Sequence, residues 1–554
     1  MSSKQLSRRK FLAYLGSSAA TLAAASSGLS VLINDGTAHA AERFFDTATA
    51  PVTGKGILVK PSSNDELNLP SGFKYDVIAA YGDPINEKGD TFGYNNASAV
   101  FLPIEGSSVH GLLYVNHESS HPVWVHGARD NGVYSIDQTK AFLYHQGGSV
   151  LEVYRDTAGV WRMDKTSAYA RRITGLEPFE LTGPVKGTKS VHHATIVQGT
   201  FANRSGGKTL WGTVLACEGS YDETCSSTGL VHEHYGWVAE IDPADPKALL
   251  RKHTALGRLH HSGAAMGLSE DGRVVVYMGD VMRDACLYKY VSKGKFDPDQ
   301  GKSNSALLTD GTLWAADLEN GKWIELTAEA AKQLLEQPAH QLPRQIRYTK
   351  EQLRDLLAEQ SDILTYATEA ALILGATPLD SLGDLALHPA DQSLFVAFTN
   401  NASHGNIHGH LLRVIEKNGD LGAAEFDFEL AAAGGRQSGF SSPGAISFDR
   451  SGKLWMATNI ASDKLSKGSF RSFQNNGIYV LPLEQEDESV SQFASAPVEA
   501  ALAAPTFTPN EQTLFISVLH PGDASKDKSH PSSLWPHRSG DSIPRSALVA
   551  VTGI

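Results

Sequence analysis

Several clusters in this chain of 554 residues carry side chains able to do chemistry. The run Trp211-Gly212-Thr213-Val214-Leu215-Ala216 ends in Cys217-Glu218, a thiol beside a carboxylate. Such a pair suits iron or zinc when the cation stabilises the thiolate, although a lone buried cysteine has the same letters. Asn116-His117-Glu118 closes the strand-like run Gly111 to Val115 and offers oxygen and nitrogen donors, either as a metal corner or as a solvated loop end. His232-Glu233-His234 puts two imidazoles on one face if extended. Arg258-Leu259-His260-His261-Ser262-Gly263 and Asn406-Ile407-His408-Gly409-His410 leave the same choice between ligand and surface histidine. No zincin helix, Walker loop or Rossmann fingerprint is present.

The elements that must position these residues are mostly strands. Apolar residues are 41% of the chain, enough for a substantial core, while 51 glycines and 24 prolines against 20% charged residues favour a turn-rich β protein. Paired strand-like runs recur. They span Met266 to Gly279 with a turn at Asp271-Gly272, Ala306 to Asp317 with a turn at Asp310-Gly311, and Leu385 to Thr399 with a turn near Pro389 to Gln392. Ile446 to Thr458 turns at Ser451-Gly452, and Thr506 to Val518 turns at Pro509 to Glu511. With one insertion set aside, the turns lie roughly forty to sixty residues apart, the length of a four-stranded propeller blade. A single all-β propeller is therefore expected. No linker rich in Pro, Gly or Ser divides the chain into two β-sandwiches. The insertion, 327–375, is helical by spacing, with Thr349 and Gln352 as a capping box and Pro338 and Pro343 between two helices.

Formal charge is −13, which gives no electrostatic footprint for nucleic acid, and three cysteines cannot make a disulfide framework. Ser7-Arg8-Arg9-Lys10-Phe11-Leu12, a mildly apolar stretch broken by Gly16, Ser17 and Ser18, and Ala38-His39-Ala40 form a twin-arginine export signal. Residues 1–40 are expected to be removed after Ala40, leaving 41–554 as one periplasmic or secreted domain without stable membrane insertion. The export machinery would be one partner. This route carries proteins folded beforehand, often with a metal inserted.

Along most of the mature chain the sequence resembles the PhoX family of exported alkaline phosphatases. The resemblance rests on Leu69-Pro70-Ser71-Gly72-Phe73, Phe92-Gly93-Tyr94-Asn95-Asn96, Gly111 to Glu118 and Ala170-Arg171-Arg172-Ile173-Thr174. It continues through Trp211-Gly212-Thr213 with Cys217-Glu218, Gly236 to Pro243, Tyr288-Lys289-Tyr290-Val291, Gly375-Ala376-Thr377-Pro378-Leu379-Asp380 and His520-Pro521-Gly522. It implies a six-bladed propeller whose channel holds an iron and calcium centre that hydrolyses phosphate monoesters. The metals would neutralise the phosphoryl oxygens and position an oxygen nucleophile.

Several acids implied by the resemblance are replaced. Gly219 and Ser220 follow Cys217-Glu218 in place of Glu and Asn, and His261-Ser262 stands for His-Glu. Asp380-Ser381-Leu382-Gly383-Asp384 lacks an arginine and a glutamate, Pro443-Gly444 and Thr458-Asn459 each lack an aspartate, and an expected glutamate with its Thr-Gly falls on Ala501, Ala503 and Ala504 unless Glu499 takes its register. The metal-ligand candidates that remain are Glu118, Cys217, Glu218, Asp280 and Asp384, joined by Asp222 or Glu223; Arg172 and Lys289 are candidates for phosphate contact or for structural ion pairs. Two functions follow as expectations: a phosphatase acting on small phosphate esters with an altered metal centre, or an inactive propeller serving as a calcium-stabilised binding or scaffold protein. A calcium lactonase on the same fold has no residue in its favour.

Overall fold

The computed structural model describes residues 59–129, 134–483 and 490–553. The export segment at 1–40 lies outside them. Short runs rich in Val, Ile, Leu and aromatic residues, cut by Gly, Asp and Asn turns, suit a pleated, half-buried surface, and they build six sheets that are almost wholly antiparallel. One strand of each sheet lies innermost: Asn96–Pro103, Asn203–Lys208, His261–Leu268, Leu382–Leu387, Pro443–Phe448 and Ala501–Phe507. These six strands neighbour one another in a ring, the last beside the first. Lys74–Ala80 shuts the ring from the other end of the chain by pairing antiparallel with Ala547–Thr552 as the outermost strand of the sixth blade. The fold is an all-β, six-bladed propeller with a helical insertion.

Blades stack through their apolar faces. Val275, Tyr277 and Leu287 of the third blade pack with Leu385, Val396 and Phe398 of the fourth, each such buried side chain contributing about 1.5–3 kcal/mol. The hairpins predicted at Met266, Leu385, Ile446 and Thr506 form as strand pairs. The one predicted over Ala306 to Asp317 does not. Asp297 caps a run of tight turns over Pro298–Leu308, and Gly311–Asp317 pairs with Leu287–Lys295 and Lys322–Glu325 instead.

Where spacing predicts two helices in the insertion, there are four: Ala328–Glu336, Lys350–Leu356, Gln360–Thr365 and Ala367–Leu374. The chain leaves helical geometry at Leu357 and again at Tyr366, while the Thr349–Gln352 capping box forms. Leu335, Leu353 and Leu364 join Leu256, Leu259 and Leu313 in one core, and the Arg258 amide donates to the Leu364 carbonyl at 2.7 Å. The insertion thus seals the flank of the second and third blades. None of its residues lines the central channel.

Candidate functional site at the propeller channel

The six inner strands enclose a cavity of about 400 Å³. About half of its wall residues are small, among them Ala97, Gly206, Ala264, Gly383, Gly444 and Ala501, one from each inner strand, which keeps the bore open. Each inner strand meets the next strand of its blade with a register shift: between Asn96 and Ala99, Ala216 and Glu218, His261 and Ala264, Leu382 and Asp384, Pro443 and Ile446, and Ala503 and Thr506. Bulges of this kind bend a strand and re-aim its side chains. Here they decide which polar groups reach the channel.

Glu118 and Asp384 are the two carboxylates in the lining. Glu118 follows the second strand of the first blade and pairs with Arg204 Nε at 3.5 Å. Asp384 is buried, accepts the Ile446 amide at 3.2 Å and the Ser205 hydroxyl, and is pushed up to about 7 because burial disfavours its charge. The Cys217 thiol lies buried, and its pKa is raised by burial first and then by the Asp384 and Glu218 carboxylates.

The other predicted ligands are committed elsewhere. Glu218 Oε1 meets Lys252 Nζ at 2.7 Å with both side chains fully buried, and Oε2 accepts the Gly236 and Trp237 amides at 2.9 and 3.1 Å. Asp280 faces the helical insertion, accepting the Met282 amide at 2.9 Å and the Thr368 hydroxyl at 3.2 Å; desolvation raises its pKa. Asp222 accepts from His260 at 2.8 Å and lies near His232 at 3.3 Å, while Glu223 is exposed beside Arg129.

Arg172 and Lys289 also lie away from the lining. Arg172 donates to the Tyr144 and Gln146 carbonyls at 2.7 Å and the Ser149 hydroxyl at 3.3 Å, and burial lowers it to about 10. Lys289 holds Glu416 at 3.0 Å and the Ala423 carbonyl at 2.6 Å, with its ammonium 4.5 Å above Trp323; burial lowers it to about 8.

Two of the histidine motifs take definite local forms. Both His117 nitrogens are engaged, by the Tyr94 carbonyl and the Ser149 hydroxyl. His232–His234 is a tight helical turn rather than an extended segment. Cys217, Cys225 and Cys286 are all buried and free. Sequence reasoning missed Arg204, whose signal was a long cation opening the small-residue run Ser205-Gly206-Gly207 on an inner strand.

Iron and calcium want several anionic donors at once. Among the described residues no three His, Cys, Asp or Glu side chains gather to hold a metal. The Arg204 guanidinium already answers Glu118 and acts electrostatically on Asp384. The residues present do not fit an iron and calcium centre. Also among the described residues, no helix is long and apolar enough to cross a membrane.

The family profile described as "Alkaline phosphatase PhoX" matches residues 55–522. Among solved structures the chain is similar to Pseudomonas fluorescens PhoX in complex with vanadate, a transition state analogue. Identity is 26%, 90% of this chain and 97% of that one are covered, and the TM-score is 0.76. An α-L-arabinofuranosidase mutant from Fusarium graminearum reaches 9% identity over 87% and 98% of the two chains with a TM-score of 0.34, too low to carry an argument. The comparison with curated proteins gives no match.

Proposed function

We propose, on the premise that the chain belongs to the PhoX family of alkaline phosphatases, that this propeller receives phosphate monoesters in its channel but has lost the metal centre that would hydrolyse them. The Arg204–Glu118 pair carries this proposal. A permanently charged guanidinium among the few carboxylates of the lining favours an anionic guest and repels a metal cation. The small-residue walls leave room for that guest. Similarity to a PhoX that binds vanadate supports a phosphate-like oxyanion as its head group. The twin-arginine segment and Ala38-His39-Ala40 support export to the periplasm or beyond, where the guest is a free phosphate ester.

Hydrolysis with an altered metal set is the alternative, favoured by the Glu118 and Asp384 carboxylates that line the same cavity. Cys217, Asp384 and Glu118 would then be the ligands; Glu218 and Asp280 would first have to leave their present partners.

Metal analysis of the purified mature protein, with p-nitrophenyl phosphate turnover before and after chelation, tests both. Iron and calcium well below stoichiometric, with no chelation-sensitive turnover in a folded sample, is the expected outcome. Near-stoichiometric iron and calcium, with turnover lost on chelation and in Cys217→Ala, overturns the proposal in favour of the altered centre.

A further inference from the structure

Arg204 lies in a cradle that only glycine leaves open. Gly219 follows the second strand of the second blade, and a Cβ built on it would stand 2.7 Å from Arg204 Cδ and 2.9 Å from Arg204 Cγ, with the His261 carbonyl oxygen at 3.1 Å. A side chain at 219 therefore cannot coexist with the Arg204 stem where it lies. At these distances the Arg204 stem would have to shift.

Arg204 has one ion-pair partner among the described residues, Glu118, which it meets through Nε. A guanidinium carries five N–H donors in a planar fork, so most of its capacity remains for a guest. The other carboxyl in the lining is already used, since Asp384 accepts from Ile446 and Ser205 and its Oδ1 would stand 2.5 Å from a Cβ at Gly263. Ser98 and Asn459 add polar side chains to the same wall. Bidentate, charge-assisted bonds to phosphate are among the strongest that arginine makes.

We infer that Arg204, seated by Gly219, is the oxyanion-binding residue of the channel, and that the phosphoryl group docks on it by displacing Glu118. This rests on the proposal that the channel receives phosphate esters. It assigns the binding to one side chain and gives Glu118 the part of an internal competitor.

The test is calorimetric titration of the mature protein with inorganic phosphate and with p-nitrophenyl phosphate, in chelator and at constant ionic strength. Arg204→Met is expected to weaken both by about tenfold or more, the loss of a charged hydrogen-bond partner. Glu118→Gln is expected to tighten both, because the competing carboxylate and its repulsion are gone. Gly219→Glu is expected to weaken both by evicting the arginine. A thermal melt confirms that each variant is folded, and Arg204→Lys, which keeps the charge without the fork, replaces the Met variant if that one is unstable.

Phosphate binding that survives Arg204→Met, binding that weakens in Glu118→Gln, or no binding by the unaltered protein each overturns the assignment. Tighter binding of inorganic phosphate than of the ester identifies the free ion as the guest, and the reverse identifies the ester. Chelation-sensitive turnover in the separate assay would overturn the lost-chemistry proposal, while these titrations, made in chelator, would still decide the role of Arg204.

Discussion

Lys252 and Glu218 form an ion pair at 2.7 Å in which neither side chain has exposed surface. The ammonium also donates to the His234 carbonyl at 3.1 Å and lies 4.2 Å above the Tyr235 ring, so the pair ties the second, third and fourth strands of its blade to the loop before Trp237. Removing one partner strands a buried charge, which costs about 3–5 kcal/mol, whereas removing both can be nearly neutral. Lys252→Met is expected to lower unfolding free energy by that amount in urea, and Lys252→Met combined with Glu218→Gln to recover much of it. A loss below about 1 kcal/mol would place the pair among solvent-screened surface bridges.

His404 bridges two carboxylates, with Asp380 Oδ1 at 2.9 Å and Asp284 Oδ1 at 3.0 Å, and so joins the loops at the ends of the third and fourth blades. The hydrogen bond to Asp380 raises the imidazole's pKa above 6.5, and, against its own burial, the bonds from His404 and Asn406 hold Asp380 below 3.8. A raised histidine contributes stability that is complete below pH 6.5 and is lost as pH climbs through its folded value. A lowered aspartate contributes stability present above 3.8 and lost as pH falls through its folded value. The bridge is therefore strongest between those limits. His404→Gln is expected to remove the alkaline-side part of the decline, read as the change in urea midpoint between pH 6 and 9. An unaltered slope would show that other groups set it.

The propeller was legible because alternation and Gly-Asp turns mark hairpins wherever one face is buried. The Ala306 hairpin failed for a local reason: Pro298 and Gly301 open tight turns that apolar periodicity cannot distinguish from a strand. The site was far less legible. A strand's side-chain period is two, so a one-residue bulge reverses which residues face the bore. The shift between Ala216 and Glu218 leaves Glu218 on Lys252, and the shift between Leu382 and Asp384 accompanies Asp384 into the lining. Nothing in either stretch of sequence announces this. Equally, no motif says that Gly219 makes room for a side chain fifteen residues earlier in the sequence.

Cys217, Cys225 and Cys286 are the three thiols of the chain. All three are buried and unpaired, and burial pushes Cys225 up to about 12 and the other two higher still. Thiols held protonated react slowly. A thiol reagent at pH 8 is expected to label none of them in the native protein and all three after denaturation without reductant. An intact mass lower by two hydrogens, with one thiol titrating, would establish a disulfide instead. Cys217→Ala is expected to leave phosphate binding in chelator unchanged.

Ring closure depends on a strand from the opposite end of the chain. Lys74–Ala80 covers the edge of Ala547–Thr552, whose six residues are all buried, and buries Ile78, Ala79 and Ala80 in return. Without it the sixth blade would expose an unpaired edge and an apolar face, a combination that invites aggregation. A chain that begins after Ala80 is expected to lose its single cooperative unfolding transition or to be recovered as aggregate. Ile78→Ala in the full-length mature protein tests the same contact more gently, with an expected cost of about 2–4 kcal/mol in urea. A truncated chain that stays monomeric with an unchanged midpoint would mean that the blades hold the ring without this strand.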